Sequence, residues 1–358
     1  MTPTALFLEA EIARESFPGG AALVGSAEGI LEMSVAGNAA VEPEIAAVSP
    51  DTVWDLASLT KPLCCGALAR AAAGSGLSLD LPPGFFFSAW KKTRYEGITL
   101  ATLLTHTSGL PAWYPLYARG EGAIAYARTL AGLEPAAAAG SAVIYSDINL
   151  LLFGDVLEAH FSMPLDRSFA ELAAAPAGSA ARFLPDPKQP AAATERGDET
   201  ERRMTAALGL SYSHFRTGVV RGEVHDGNAF RRGGVAGNAG LFGSARDVWA
   251  LARQWLLGDP GQFCADLTPL HHSARGLSWQ GARGAGSAIP EMSSRSFGHT
   301  GFTGTSVWLD PDADRIAILL TNRIHPAVRA VDFNEVRRRF HQAVWRSEPV
   351  ATSRSRLM

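Results

Sequence analysis

The two ends of the chain mirror each other, and that symmetry limits the fold more than any other feature of the sequence. Residues 3 to 16 carry apolar side chains at helical spacing, and Phe17-Pro18-Gly19-Gly20 stops that helix. Two short strands follow, Ala21 to Gly25 and Ile30 to Ala36, separated by the turn residues Ser26-Ala27-Glu28-Gly29. At the far end, Gly298 to Leu309 and Arg315 to Thr321 read as strands around Asp310-Pro311-Asp312-Ala313-Asp314, and 328 to 345 reads as a closing helix. Helix, strand, strand at one end and strand, strand, helix at the other predict one antiparallel sheet that both termini build, with a helix from each end lying on it.

The middle of the chain has a different texture. It is rich in alanine and leucine with helical periodicity at 59 to 74, 121 to 132 and 147 to 160, which predicts a mainly helical lobe inserted into the sheet domain. The expected division is 1–57 with 235–350 for the sheet domain and 58–234 for the lobe. At 358 residues the chain is long enough for both, and for a buried cleft between them. The stretch 186 to 205, PDPKQPAAATERGDETERRM, is polar and broken by proline, so it is expected to be a surface excursion, and the final ATSRSRLM is expected to fray.

A formal net charge of -3 and the lack of a long basic run exclude nucleic acid and anionic membranes as expected partners. Three cysteines, two of them adjacent at Cys64 and Cys65 and the third at Cys264, are read as reduced core residues rather than a disulfide framework. No basic leader or long apolar run is visible, so a cytoplasmic chain without membrane insertion is expected. Lysine is scarce, present only at Lys61, Lys91, Lys92 and Lys188, which makes each one worth asking about.

Three constellations carry chemistry. In Ser58-Leu59-Thr60-Lys61 an extended approach, Thr52 to Leu56, gives way to a helical stretch, and the spacing of three puts hydroxyl and amine on one helix face. A serine hydroxyl attacks only when a neighbour takes its proton, and a lysine can do so if burial or nearby positive charge lowers its pKa. Ser88-Ala89-Trp90-Lys91 fits the same template and is rejected, because its flanks, Phe85-Phe86-Phe87 and Lys92-Thr93-Arg94, read as loop. In Tyr145-Ser146-Asp147, at the start of a helical stretch, a phenol can pass protons to and from a leaving group while Asp147 holds Lys61 charged or orients it. In His299-Thr300-Gly301, within a glycine-rich strand, the amide just after Gly301 can form half of an oxyanion hole, with His299 as a positionable donor. Taken singly, each has a plainer reading: a capping serine beside a solvated lysine, a half-buried tyrosine with a capping aspartate, an exposed strand-edge histidine.

Together, in this order and spacing, the three resemble the motifs of the serine beta-lactamase and penicillin-binding-protein superfamily, most closely its class C and esterase-like branch. The likeness extends to Phe17-Pro18-Gly19, Asp55 to Pro62, Leu103-Leu104-Thr105-His106-Thr107-Ser108-Gly109-Leu110-Pro111, Gly222-Glu223-Val224-His225-Asp226, Gly237-Asn238-Ala239-Gly240-Leu241-Phe242 and Gly298 to Gly304, over about residues 17 to 325. It implies an α+β fold of the beta-lactamase/transpeptidase-like type, an antiparallel sheet flanked by N- and C-terminal helices plus a helical lobe. It also implies that Ser58 forms an acyl-enzyme, that Lys61 and Tyr145 shuttle protons, and that the amides of Ser58 and Phe302 hold the oxyanion. Asp147, His299, Thr300 and Gly301 are then the substrate-binding set, and no cofactor is called for.

Two departures bear on substrate. His299 stands where most such enzymes have lysine, and Asp147 where they have asparagine, so a permanent cation becomes a titrating imidazole and a neutral amide becomes an anion. Both favour small esters or amides lacking a carboxylate, with beta-lactam, D-alanyl-type or D-aminopeptidase substrates as the alternative and a catalytically silent receptor for cell-wall fragments as a third reading. His106, His225 and Asp226 invite a metal reading that is set aside, since the two histidines are far apart with no paired ligand spacing.

Overall fold

The computed structural model describes residues 1–120, 123–257, 268–270, 273–283 and 286–345. Its centre is a nine-stranded antiparallel sheet built from both ends of the chain. From the N-terminal side come β1 (Gly19–Gly25), β2 (Ile30–Ala40) and β3 (Ala46–Ala47). Two smaller sheets lie between: β4 (Trp54–Asp55), β5 (Arg182–Phe183) and β8 (Leu241–Gly243) form one, and β6 (Ala193–Arg196) pairs with β7 (Val219–Arg221) in the other. From the C-terminal side come β9 (Thr268–Leu270), β10 (Ser273–Gly276), β11 (Trp279–Gly281), β12 (Phe297–Thr300), β13 (Ser306–Asp310) and β14 (Arg315–Thr321). The sheet runs β3-β2-β1-β14-β13-β12-β11-β10-β9, so the first and last long strands are neighbours, with Leu23 opposite Ile318. The antiparallel sheet built by both termini with a helix from each end lying on it, expected from the mirrored ends, is the one observed.

Alternation explains why both faces of this sheet are covered. Leu23 on β1 and Ile316, Ile318 and Leu320 on β14 enter the large core beneath the lobe. Their neighbours Ala22, Val24, Ala317 and Leu319 point the other way, against Phe7 and Leu8 of the helix Pro3–Ala13 and Phe333, Val336, Phe340 and Val344 of the helix Phe333–Trp345. Glu11, buried on the first helix, receives a two-pronged pair from Arg339 on the second at 2.8 Å and a hydrogen bond from Ser16 at 2.7 Å. The closing helix begins at Phe333 rather than 328, where the Asp332 side chain accepts the Asn334 amide.

Two expectations change. The segment 298 to 309 is not one strand: β12 and β13 are a hairpin closed at Thr300 and Ser306, with Gly301 to Thr305 as its turn and Gly304 at φ +105°. The polar stretch 186 to 205 is not a surface excursion. Residues Ala191 to Glu195 are buried and β6 lies within it. Some of its charges are spent internally, Glu195 on His225 and Asp198 on Arg216, so polarity there partly reports buried pairing, while Lys188, Glu199, Arg202 and Arg203 stay exposed. Cys64 and Cys65 are buried and unbridged in the core, while Cys264 and the last residues fall outside the described segments.

Truncating Phe340, which is fully buried between the terminal helices and against Phe7 at 5.2 Å between ring centroids, tests this arrangement. Phe340→Ala is expected to lower the unfolding free energy in urea by about 3–5 kcal/mol.

Candidate active site

The predicted catalytic residues converge on one cleft of about 420 Å³ whose lining includes Ser58, Tyr145, Asp147, His299, Thr300, Gly301 and Phe302. The helical stretch that carries Ser58 changes its winding along its length: a 3₁₀ turn over Ala57–Leu59, a π-helical stretch over Lys61–Gly66, then an α-helix over Ala67–Gly74. Ala57, just before the serine, sits at φ +47°, a conformation that a residue with a Cβ adopts only when its surroundings hold it there. The hold is Asp55, whose carboxylate accepts the Ala57 amide at 2.9 Å and, on its other oxygen, the His225 amide at 2.7 Å.

Lys61 is completely buried. Its ammonium donates to Ser58 Oγ at 2.9 Å and to the Asn238 carbonyl at 2.9 Å, and it pairs with Asp147 Oδ1 at 2.6 Å. Burial alone would push its pKa down, but the Asp147 carboxylate and the Tyr145 phenol beside it outweigh burial, and the amine is held above its ordinary value. This corrects the expectation of a lysine whose pKa is depressed: at neutral pH it is an ammonium. Tyr145, whose ring centroid is 5.2 Å from that ammonium, is itself pushed up by burial against the opposing pull of Lys61, so its hydroxyl also keeps its proton. The Asn238 carbonyl reaches Lys61 because Gly237 has no side chain, since a Cβ there would stand 2.1 Å from the Leu150 carbonyl oxygen.

On the opposite wall, Gly301 presses against the turn that carries Ser58. A Cβ on it would be 2.1 Å from Thr305 Oγ1 and 2.8 Å from the Leu56 carbonyl, so the position is closed to any side chain. Its carbonyl accepts from buried Arg337 at 2.7 Å, and because the peptide is planar and trans the Phe302 amide of the same unit faces the other way. Arg323 holds the Phe302 carbonyl at 2.7 Å. Burial pushes Arg337, which also feels Arg323, down to about 9.

His299 differs from the expected donor. Nδ1 of His299 lies 2.9 Å from the Thr300 carbonyl, which can only accept, so that nitrogen carries the hydrogen and Nε2 is an acceptor rather than a donor. Burial, then Arg275 and Lys61, drives its pKa well below the usual histidine range, so it is a neutral imidazole that does not titrate near neutrality. His106 Nδ1 accepts the Ser146 amide at 3.0 Å, and the same causes keep it neutral. His225 is bound to Glu195 at 3.0 Å, and that carboxylate raises its pKa against the effect of burial. Among the described residues no group of three or more His, Cys, Asp or Glu could hold a metal ion. Ser88 lies on a separate 3₁₀ turn, Ser88–Trp90, and neither it nor Lys91 lines the cleft.

Several cleft residues escaped the sequence reading. Arg275 on β10 is 8% exposed, and its Nε and Nη1 have no hydrogen-bond partner. Thr200, Glu201 and Met204 come from the helix Glu199–Ala207, inside the stretch expected to be a surface loop. Glu201 accepts from Tyr117 Oη at 2.5 Å and the Gly227 amide at 2.9 Å, while burial and the Asp226 carboxylate push it up to about 7. Only Asp226 of this wall had been singled out, and as a metal candidate. A lone arginine and a glutamate at helical spacing carry no local signature.

The comparisons with known proteins agree with this geometry. A family model described as Beta-lactamase matches residues 6–340. A protein of Escherichia coli (strain K12) named "Putative D-alanyl-D-alanine carboxypeptidase" is 30% identical over 315 residues, covering 77% of this chain and 70% of that protein. In fold, the chain is similar to the hydrolase EstCE1, described as having promiscuous acyltransferase activity, with a TM-score of 0.69, 19% identity and coverage of 95% and 96% of the two chains. It is equally similar to a class C beta-lactamase, with a TM-score of 0.70, 15% identity and coverage of 98% and 96%. The chain therefore belongs to the beta-lactamase family and is a serine hydrolase.

Proposed function

We propose that the protein hydrolyses small esters or amides through an acyl-enzyme on Ser58. The observation that carries this is the contact of Lys61 Nζ with Ser58 Oγ at 2.9 Å while the same nitrogen is 2.6 Å from Asp147. An ammonium cannot take a proton, so its own must first move to the Asp147 carboxylate. The freed amine then accepts the Ser58 hydroxyl proton as Oγ attacks the substrate carbonyl. The amides of Ser58 and Phe302 receive the developing oxyanion, and a donor of this kind contributes about 3–4 kcal/mol of barrier lowering in other hydrolases. The tetrahedral species collapses, the leaving group takes its proton through Tyr145, and water repeats the sequence to release the acid.

Arg275 revises the ranking of substrates. His299 supplies no cation, but Arg275 is a permanent one that lines the cleft with two idle N–H groups, and planar guanidinium donors match a carboxylate. We infer that substrates bearing a carboxylate near the scissile bond, as the carboxypeptidase-like relative's name describes, are preferred over neutral esters.

Three outcomes follow. Ser58→Ala should lose roughly 10³-fold or more in nitrophenyl ester turnover and the fluorophosphonate adduct on its peptide, and wild-type rates in that variant would remove Ser58 from the chemistry. Asp147→Asn should lower the Lys61 pKa, read from the side-chain NMR titration, and cut kcat/KM at pH 7 about 10²-fold. An unchanged rate there would take Asp147 out of the proton path. Arg275→Ala should raise KM for carboxylate-bearing amides about 10- to 100-fold while sparing a neutral nitrophenyl ester.

A further inference from the structure

Tyr145 is held in the cleft by the turn that follows the short helix Leu100–Leu104, and most of that hold comes from one residue. His106 is completely buried and lies at φ +58°, in the left-handed region. Its carbonyl accepts the Ile144 amide at 2.8 Å and its Nδ1 accepts the Ser146 amide at 3.0 Å, so the residues on either side of Tyr145 are both bonded to it. Its imidazole packs on the Tyr145 ring, with 4.7 Å between centroids. Asn149, in the first turn of the helix Asp147–Phe161, brings its Nδ2 to 3.3 Å from the same Nδ1.

The position is costly to keep. A residue with a Cβ is strained at this φ, and because Nδ1 accepts an amide the hydrogen of the neutral ring sits on Nε2, which is buried and has no hydrogen-bond partner among the described residues. Strained or unsatisfied groups of this kind collect where geometry serves a reaction. Beyond Tyr145 the chain is anchored separately, the Ser146 hydroxyl donating to the Pro111 carbonyl at 2.6 Å and the Asp147 amide to the Ala112 carbonyl at 2.9 Å. The His106 side chain therefore bears on one peptide unit, the one joining Tyr145 to Ser146. The phenol that this peptide carries reaches the hydroxyl of Ser58 and the amine of Lys61.

We propose that His106 is a positioning residue for Tyr145, its Nδ1 fixing the orientation of the Tyr145–Ser146 peptide and its ring backing the phenol, so that the hydroxyl meets the departing group. It touches no reacting atom itself, and the inference rests on the role given above to Tyr145. As the acyl carbon–oxygen bond breaks, its electron pair goes to the leaving oxygen, which takes the Tyr145 proton, and Lys61 returns to Tyr145 the proton it took from Ser58. An alkoxide needs that proton, whereas a nitrophenolate departs as the anion. A displaced phenol therefore costs an alkyl ester far more than a nitrophenyl ester of the same acid.

The test compares the nitrophenyl and ethyl esters of one acid on the wild type, His106→Asn and His106→Gln, with circular dichroism confirming that each is folded. Asparagine tolerates a left-handed φ and puts an oxygen where Nδ1 was, while glutamine, also an uncharged amide, carries its oxygen one carbon further out. In His106→Gln the ratio of kcat/KM for the nitrophenyl ester to that for the ethyl ester should rise about tenfold or more. Exchange of the Ser146 amide hydrogen should quicken about tenfold in the same variant. His106→Asn should keep both near the wild-type values. Tyr145→Phe should raise the ratio too, and adding His106→Gln to it should raise it no further. A purely structural role would slow both esters together, so an unchanged ratio in His106→Gln overturns the proposal. So does unchanged Ser146 exchange, or an asparagine variant that behaves like the glutamine one. Failure of the Ser58 chemistry itself would show instead as missing fluorophosphonate labelling of the wild type, while Ser146 exchange still reports on the His106 contact.

Discussion

The buried ammonium of Lys61 is the point on which the structure turns. It is reached by Ser58 three residues before it and from two distant parts of the sequence, Asp147 at the head of the lobe helix and the Asn238 carbonyl next to β8. An unpaired charge in that position would cost several kcal/mol, so these segments must close around it or the amine must lose its proton. The contact with the Asn238 carbonyl ties the segment before β8 to the lobe, and the ion pair with Asp147 sets the charge state beside Ser58. It also explains why Asp147 is tolerable beside a serine that must become an alkoxide. Paired with Lys61 at 2.6 Å, its charge is largely cancelled until a proton moves.

A second constraint works from the sheet side. The turn Gly301 to Thr305 carries the Phe302 amide, and it is held by Arg337 through the carbonyls of Gly301 and Thr305. Arg337 belongs to the closing helix, whose apolar face packs on β1 and β14 with the first helix. The chain ends thus do more than complete a sheet. They deliver a buried guanidinium to the back of the oxyanion turn, and this gives the mirrored termini a place in the site's geometry.

Much of the fold was legible because the signals were periodic and local. The terminal helices, the hairpin at Ser26 to Gly29 and the lobe helix at Asp147–Phe161 all follow from apolar spacing and turn residues. The four candidate catalytic residues were legible because Ser58 and Lys61 are neighbours on one turn, Tyr145 comes just before a helix and Asp147 opens it. What failed was the inference from polarity to exposure. In 186 to 205 the charged residues look solvated one at a time, yet Glu195, Asp198 and Glu201 each find a buried partner brought from residues 117 to 225. The break of 298 to 309 into a hairpin was equally hidden, since glycine in a strand and glycine in a turn look alike until the Thr300 and Ser306 pairing is known.

The electrostatics of the cleft then follow from which charges find partners inside the protein and which do not. Lys61, His225 and Asp55 are saturated by side chains or backbone amides, so they shape the site without offering a free valence to a ligand. Glu201 is held in the same way, by Tyr117 and the Gly227 amide, whereas Nε and Nη1 of Arg275 have no hydrogen-bond partner. His299 completes the contrast. It stands where most enzymes of this family carry lysine and where a titrating imidazole was expected, but its own backbone contact and its burial make it a neutral acceptor, so Arg275 is the cation left to meet the anionic end of a substrate. A neutral, apolar ester would leave Arg275 unpaired in a confined cleft, whereas a ligand bearing a carboxylate would pair it. In such a site selectivity comes from the cost of leaving buried charges alone as much as from the contacts that are made.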